Sequence, residues 1–114
     1  MYKLYVNKNG TIGITNKSLE LLDVVYSNDS FVGIIEDIAE NSLYLYGSTP
    51  TSEKYKTKIK YEKTNNIHYI TMKKDAINRL FGDSQKSYLP MSLEEEPYLI
   101  DNIKCYKIIS QNTL

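Results

Sequence analysis

Four lysines at alternate positions, Lys54, Lys56, Lys58 and Lys60, are the most distinctive chemistry in this chain. In an extended strand such residues share one face and repeat every ~6.5–7 Å, close to the phosphate spacing along one nucleic-acid strand. Lys63, Lys73, Lys74 and Arg79 extend the basic surface. Lysine brings charge without the two-pronged fork of arginine, so its contacts would go to phosphates rather than base edges. An acidic protein is the other partner such a face suits. The same row also reads as protection of a sheet edge, because exposed lysines discourage strand-to-strand pairing.

The remaining reactive types do not assemble. His68 is the one histidine, set between Ile67 and Tyr69 with no ligand or carboxylate at useful spacing. A general base needs a partner to orient it, and none is adjacent. Cys105 is the one cysteine, and Ile103 and Tyr106 nearby suit a small core residue. Glu36 and Asp37 are neighbours and would point to opposite faces of a strand, so they would not share a metal or a proton. Glu94, Glu95 and Glu96 read as a solvated turn, or as an acidic contact for a basic partner. There is no glycine-rich phosphate loop, zinc spacing or nucleophile elbow. The expectation is a binding protein with no catalytic residues, no metal and no cofactor.

Composition bounds the rest. The 114 residues suffice for one small domain, or for two half-size units that share a core. With 41% hydrophobic and 25% charged residues the chain is neither a disordered tail nor a coiled coil. A single cysteine allows no internal disulfide, and no apolar run is long enough to span a bilayer. A cytoplasmic protein with no membrane partner is expected. Formal net charge is zero, yet charge is unevenly placed. Residues 1–50 carry three lysines against six acids, residues 51–90 nine bases against four acids, and residues 91–114 two bases against four acids. A partner feels this local basic island rather than the sum.

These residues need elements to hold them. Lys3–Lys8 and Thr11–Thr15 read as a hairpin about Asn9-Gly10, and Asn16 reads as the cap of a helix over 17–23. Strands are expected at 31–39, 43–46, 54–63 and 67–70. Thr71 reads as the cap of a helix over 72–81 that stops at Gly82. A strand weakened by Pro90 and a closing strand through 98–109 follow. Residues 47–52 form the best linker. Landmarks recur 56 residues apart: Asn9 with Asn65, Ile14 with Ile70, Thr15 with Thr71. The expected class is α+β: mostly antiparallel sheet with two short helices, arranged as two ββαββ half-units, 1–47 and 53–109. Chance similarity of two ordinary stretches gives the same landmarks.

Asn9-Gly10-Thr11-Ile12-Gly13-Ile14-Thr15, the short helix to Leu22-Asp23-Val24, and Asn28-Asp29 before an alternating strand are similar to a known pattern. They resemble the swapped-hairpin unit of AbrB- and MazE-type transition regulators and antitoxins, over about residues 3–46 and more weakly over 58–103. That resemblance implies interlocked hairpins that bind duplex DNA, in a homodimer or in one duplicated chain. Thr15 stands in place of the family's proline and Asp23 in place of its glycine. The family's DNA-contacting arginines fall near Thr11, Leu19 and Glu20, none of them basic. The scaffold can therefore be shared without the function. Two functions follow as expectations: a DNA-binding regulator or antitoxin-like protein, and a phage or mobile-element inhibitor that engages a host protein. The eleven tyrosines suit a contact surface, although an AT-rich coding sequence also supplies them.

Overall fold

Residues 1–26, 30–48 and 56–111 are described by a computed structural model. The first hairpin forms as its turn residues dictate. β1 (Tyr2–Asn7) pairs with β2 (Thr11–Ile14), with Leu4 opposite Ile14 and Val6 opposite Ile12. Gly10 takes a φ of 105°, a conformation that costs glycine nothing. The chain continues through α1 (Asn16–Leu21), β3 (Phe31–Asp37) and β4 (Ser42–Ser48). Next come β5 (Lys56–Lys58), β6 (Lys60–Glu62), β7 (Ile67–Thr71) and α2 (Lys74–Phe81). β8 (Tyr88–Leu93), β9 (Tyr98–Ile100) and β10 (Ile103–Ser110) complete the order.

The sheet runs β5-β3-β4-β10-β8-β1-β2-β7-β6, with β9 attached to β10, and all its pairs are antiparallel. Its two end strands, β5 and β6, are separated in the chain by Ile59 alone. The sheet therefore curls until its ends meet, giving a nearly closed barrel. Strands take 51% of the described residues and helices 15%, so the α+β class is corrected to mostly β. The helices, six and eight residues long, are too short to form a layer of their own.

The segments 1–47 and 53–109 do not build two separate ββαββ layers. β1 pairs with β8, β2 with β7 and β4 with β10, so strands of the two segments interleave. The pairing pattern reads the same from either side: β1–β8 matches β5–β3, β1–β2 matches β6–β7, and β3–β4 matches β10–β8. Of the expected linker 47–52, Gly47 and Ser48 belong to β4, and the rest lies outside the described residues.

Alternate residues fill the interior: Leu4 and Val6, Ile12 and Ile14, Val32 and Ile34, Leu43 and Leu45, Met91 and Leu93. α1 contributes Leu19, and Leu22 follows it; α2 adds Ala76, Ile77 and Phe81 to the same core. Outside the barrel wall, a smaller cluster of Tyr44, Tyr46 and Cys105 packs with Ile100 and Ile103. Asp101 and Asn102 turn the β9–β10 hairpin, both at positive φ, as a tight hairpin turn requires.

Pro90 is tolerated inside β8 for a readable reason. Lys8 N donates to Ser87 O at 2.9 Å, so alternate β1–β8 pairs are bonded, and Tyr5–Pro90 falls on a non-bonded position. The missing N–H therefore faces β10, whose ladder with β8 stops at Met91.

Candidate functional site

The lysine row lies on two strands. β5 pairs with β3 and β6 pairs with β7, and the chain bends between them at Ile59. Ile59 is 1% exposed and its N–H donates to Ser30 O at 2.9 Å, which fixes the bend. The inward–outward parity survives: Lys58 and Lys60 are exposed on either side of buried Ile59. Lys56 is half-buried, with Nζ 4.9 Å from the Phe31 ring centroid. Lys54 lies outside the described residues.

The basic residues of α2 divide. Lys74 is exposed at the helix start. Lys73 and Arg79 both reach Glu36, at 3.5 Å and 3.3 Å, and Arg79 also donates to Asn41 Oδ1 at 3.3 Å. One carboxylate on β3 thus ties α2 to the β3–β4 hairpin, and it offsets charge that the sequence alone assigns to a partner. Thr71 ends β7 instead of capping α2, whose first residue is Lys74.

A different surface gathers more potential contact chemistry. One row crosses the outer face of the barrel: Pro90 on β8, Tyr5 on β1, Gly13 on β2, Tyr69 on β7 and Lys60 on β6. Glycine at the centre makes room for the Ile67 side chain, whose Cδ1 lies 2.7 Å from where a Cβ would stand, and a cleft of about 460 Å³ is bordered by the two tyrosines. Neighbouring strands are ~4.8 Å apart, so the Tyr5 and Tyr69 backbones stand roughly 10 Å apart across Gly13. Asn7, Asn9, Thr11, Glu62, Asn65 and Ile67 complete the lining.

Local bonds hold these polar groups. Asn9 Oδ1 accepts from Thr11 N at 3.0 Å and Thr11 Oγ1 at 2.9 Å, and Asn7 Nδ2 donates to Thr11 Oγ1 at 3.2 Å. Asn65 Nδ2 donates to Glu62 Oε1 at 2.8 Å. The Tyr5 ring stacks with Tyr88 at 6.1 Å and 17° between planes. Lys3, two residues before Tyr5 on the same strand face, and Lys8 beyond Asn7 are both exposed. Charge around the cleft is therefore mainly basic, with Glu62 as the acid in its wall.

Sequence reasoning missed Tyr5, Gly13 and Tyr69. Alternation does put each on the outer face, because Leu4, Ile12, Ile14 and Ile70 point inward. Bringing them into one row requires the β2–β7 pairing, which no local signal announces.

The other candidates are placed apart. His68 packs against the rings of Tyr26 and Tyr61, at 4.5 Å and 5.0 Å between centroids, and the two tyrosine rings are 6.3 Å apart, so the three form one cluster. Burial pushes its pKa below the usual imidazole value, so it is neutral at pH 7. Tyr61 donates its hydroxyl to Asn66 Oδ1. Cys105 is fully buried, and burial pushes its thiol pKa up, away from a reactive thiolate. Among the described residues, no three His, Cys, Asp or Glu side chains gather where a metal could bind. No helix of the described residues is long and apolar enough to cross a membrane.

No protein-family model, no curated protein and no solved structure matches the chain.

Proposed function

We propose that this chain is a non-enzymatic nucleic-acid-binding protein, in keeping with the regulator and antitoxin class that its sequence resembles. One observation carries the reading: exposed Lys3, Lys8 and Lys60 border an outer sheet face that displays Tyr5, Tyr69 and Tyr88. Lysines at the border of an aromatic surface supply phosphate contacts and base contacts together. Exposed Lys58 adds to the same charge across the Ile59 bend.

The test is fluorescence anisotropy with labelled duplex and single-stranded DNA, titrated at several salt concentrations. Binding is expected to weaken linearly on a log–log salt plot, with a slope that counts the engaged phosphates. The double variant Lys58→Glu with Lys60→Glu is expected to fold, since both side chains are exposed, and to lose most of the affinity. Absence of binding even at low salt overturns the proposal.

A second reading, an inhibitor or adaptor for a host protein, is favoured by the β9 hairpin. Leu99 there is 72% exposed beside Tyr98, close to the acidic turn of Glu94, Glu95 and Glu96. An exposed apolar residue beside acids suits a basic protein partner. This reading gains if every nucleic acid fails to bind.

A further inference from the structure

We infer that the outer edge of β9 is a docking strand for an extended, basic segment of a partner protein, which joins the sheet by main-chain pairing about Leu99. The inference lies beyond the nucleic-acid reading and rests on the protein-partner reading, whose mode of contact it names. Main-chain geometry, exposure and charge support it.

Main-chain geometry leaves the edge open. Asp101 and Asn102, at φ of 50° and 65°, make a two-residue turn that Ile100 and Ile103 close as a bonded pair. Bonded and non-bonded pairs alternate along an antiparallel ladder. Leu99 and Lys104 are the next pair, so the N–H and C=O of Leu99 point away from β10. β10 is the one partner of β9 among the described residues. Glu94 N donates to Lys107 O at 2.9 Å, and Lys107 shares the parity of Ile103 and Cys105, so β8 and β9 lie along one flank of β10. Beside β8 the next place is filled by β1, whose ladder ends at Tyr2–Leu93. Beside β9 no described strand takes the corresponding place.

Exposure matches this geometry. Leu99 is 72% exposed, an apolar side chain at the centre of the edge. Edge strands are commonly guarded by a lysine or a proline. Tyr98-Leu99-Ile100 contains neither. Lys104, across from Leu99, lays its Nζ over the Tyr106 ring, 6.0 Å from the centroid.

Charge selects the occupant. Glu95 and Glu96 are exposed before β9, and Asp101 is exposed after it. Glu94 accepts a hydrogen bond from the Tyr98 side chain, which leaves its two neighbours as the charges the turn presents. Five residues of strand from Glu96 to Asp101 span ~17 Å, so an added segment with a cation at each end meets an acid at each end. A nucleic acid would be repelled here. A second copy paired antiparallel about Leu99 would set Glu96 opposite Asn102 and Pro97 opposite Asp101, which crowds the acids of both copies together.

The experiment titrates the isotope-labelled full chain with the capped peptide Arg-Thr-Lys-Val-Lys-Thr-Arg and follows its amide resonances. Shifts are expected at Tyr98, Leu99, Ile100 and the flanking acids. The same peptide with its three central amides N-methylated keeps its charge, loses its ladder bonds and is expected not to bind. Leu99→Pro removes only an N–H that β10 does not use, and is expected to weaken binding at least about fivefold. Glu95→Gln with Glu96→Gln is expected to weaken it roughly two- to tenfold, and added salt to do the same.

Equal binding of the N-methylated peptide, or binding unchanged in Leu99→Pro, overturns strand addition and leaves the protein-partner reading standing. So do shifts at β9 that grow with the concentration of the chain alone, which would make a second copy the occupant. Shifts at β9 caused by oligo-dT or by duplex DNA overturn both. Absence of any shift with the basic peptide at millimolar concentration also overturns both.

Discussion

His68 shows how a side chain that reads as bland in sequence acquires a measurable property from its surroundings. Its ring packs in a cluster with Tyr26 and Tyr61, and burial favours the neutral imidazole. Above pH ~6.5, its ordinary value, the ring is neutral in folded and unfolded chains alike. As pH falls through 6.5, the unfolded chain takes up the proton first, so stability drops until pH passes the lowered native value. The urea midpoint is therefore expected to fall as pH drops below ~6.5, and His68→Phe is expected to flatten that step. A step of unchanged size in the variant would assign it to carboxylates instead. The strand position of His68 was legible from Ile67 and Ile70, and so was the buried, unreactive setting of Cys105. The Tyr26 contact was not, because it joins residues from distant parts of the chain. Gly13 shows the same limit. Its outward parity follows from Ile12 and Ile14, but its place between two tyrosines follows only from pairing.

Elements reveal a second kind of limit, where two adjacent residues compete for one role. Asn16 and Thr15 are both good cap types, and the sequence reading chose Asn16. Thr15 is the cap: its Oγ1 accepts from Ser18 N at 3.3 Å. The same oxygen lies 3.1 Å from Lys3 O, to which Ser18 Oγ donates at 2.9 Å. This contact with β1 decides the choice, and no local propensity encodes it. Thr15→Ala is expected to cost about 1 kcal/mol in chemical denaturation. Asn16→Ala should stay within about 0.5 kcal/mol of the parent. Equal losses would make the cap shared. The strand read across 54–63 illustrates the complementary case. Its alternation runs unbroken through Ile59, so periodicity alone predicts one straight strand. The break arises because the partner changes from β3 to β7, and that change depends on the whole sheet. The β1–β2 turn at Asn9-Gly10 and the stop at Gly82 were legible, because each is a single residue's backbone preference.

The whole molecule is governed by that closure and by the interleaving of its strands. Local patterns identified most strands and both helices but weighted them as an α+β layer, because barrel closure leaves no mark within any one element. Charge tells a similar story: the basic island of residues 51–90 is divided, with Lys73 and Arg79 turned to Glu36 and Lys60 turned outward beside the cleft. Interleaving makes a sharper prediction. A chain cut to residues 1–47 keeps the β1–β2 and β3–β4 hairpins but loses β8 beside β1, β7 beside β2 and β10 beside β4. Leu4, Ile12 and Leu45, all fully buried, would then face water. Two-stranded hairpins with no covered face are marginal at best. Each of the fragments 1–47 and 53–109 is therefore expected to be unfolded alone, with collapsed amide dispersion in its NMR spectrum. Equimolar mixing is expected to restore the dispersed spectrum of the intact chain, because the pairings between fragments are the ones each lacks. A dispersed spectrum from 1–47 alone would mean that its strands can satisfy one another, as a homodimer would allow. The interleaved pairings would then be a convenience of the intact chain, and the core would not depend on them.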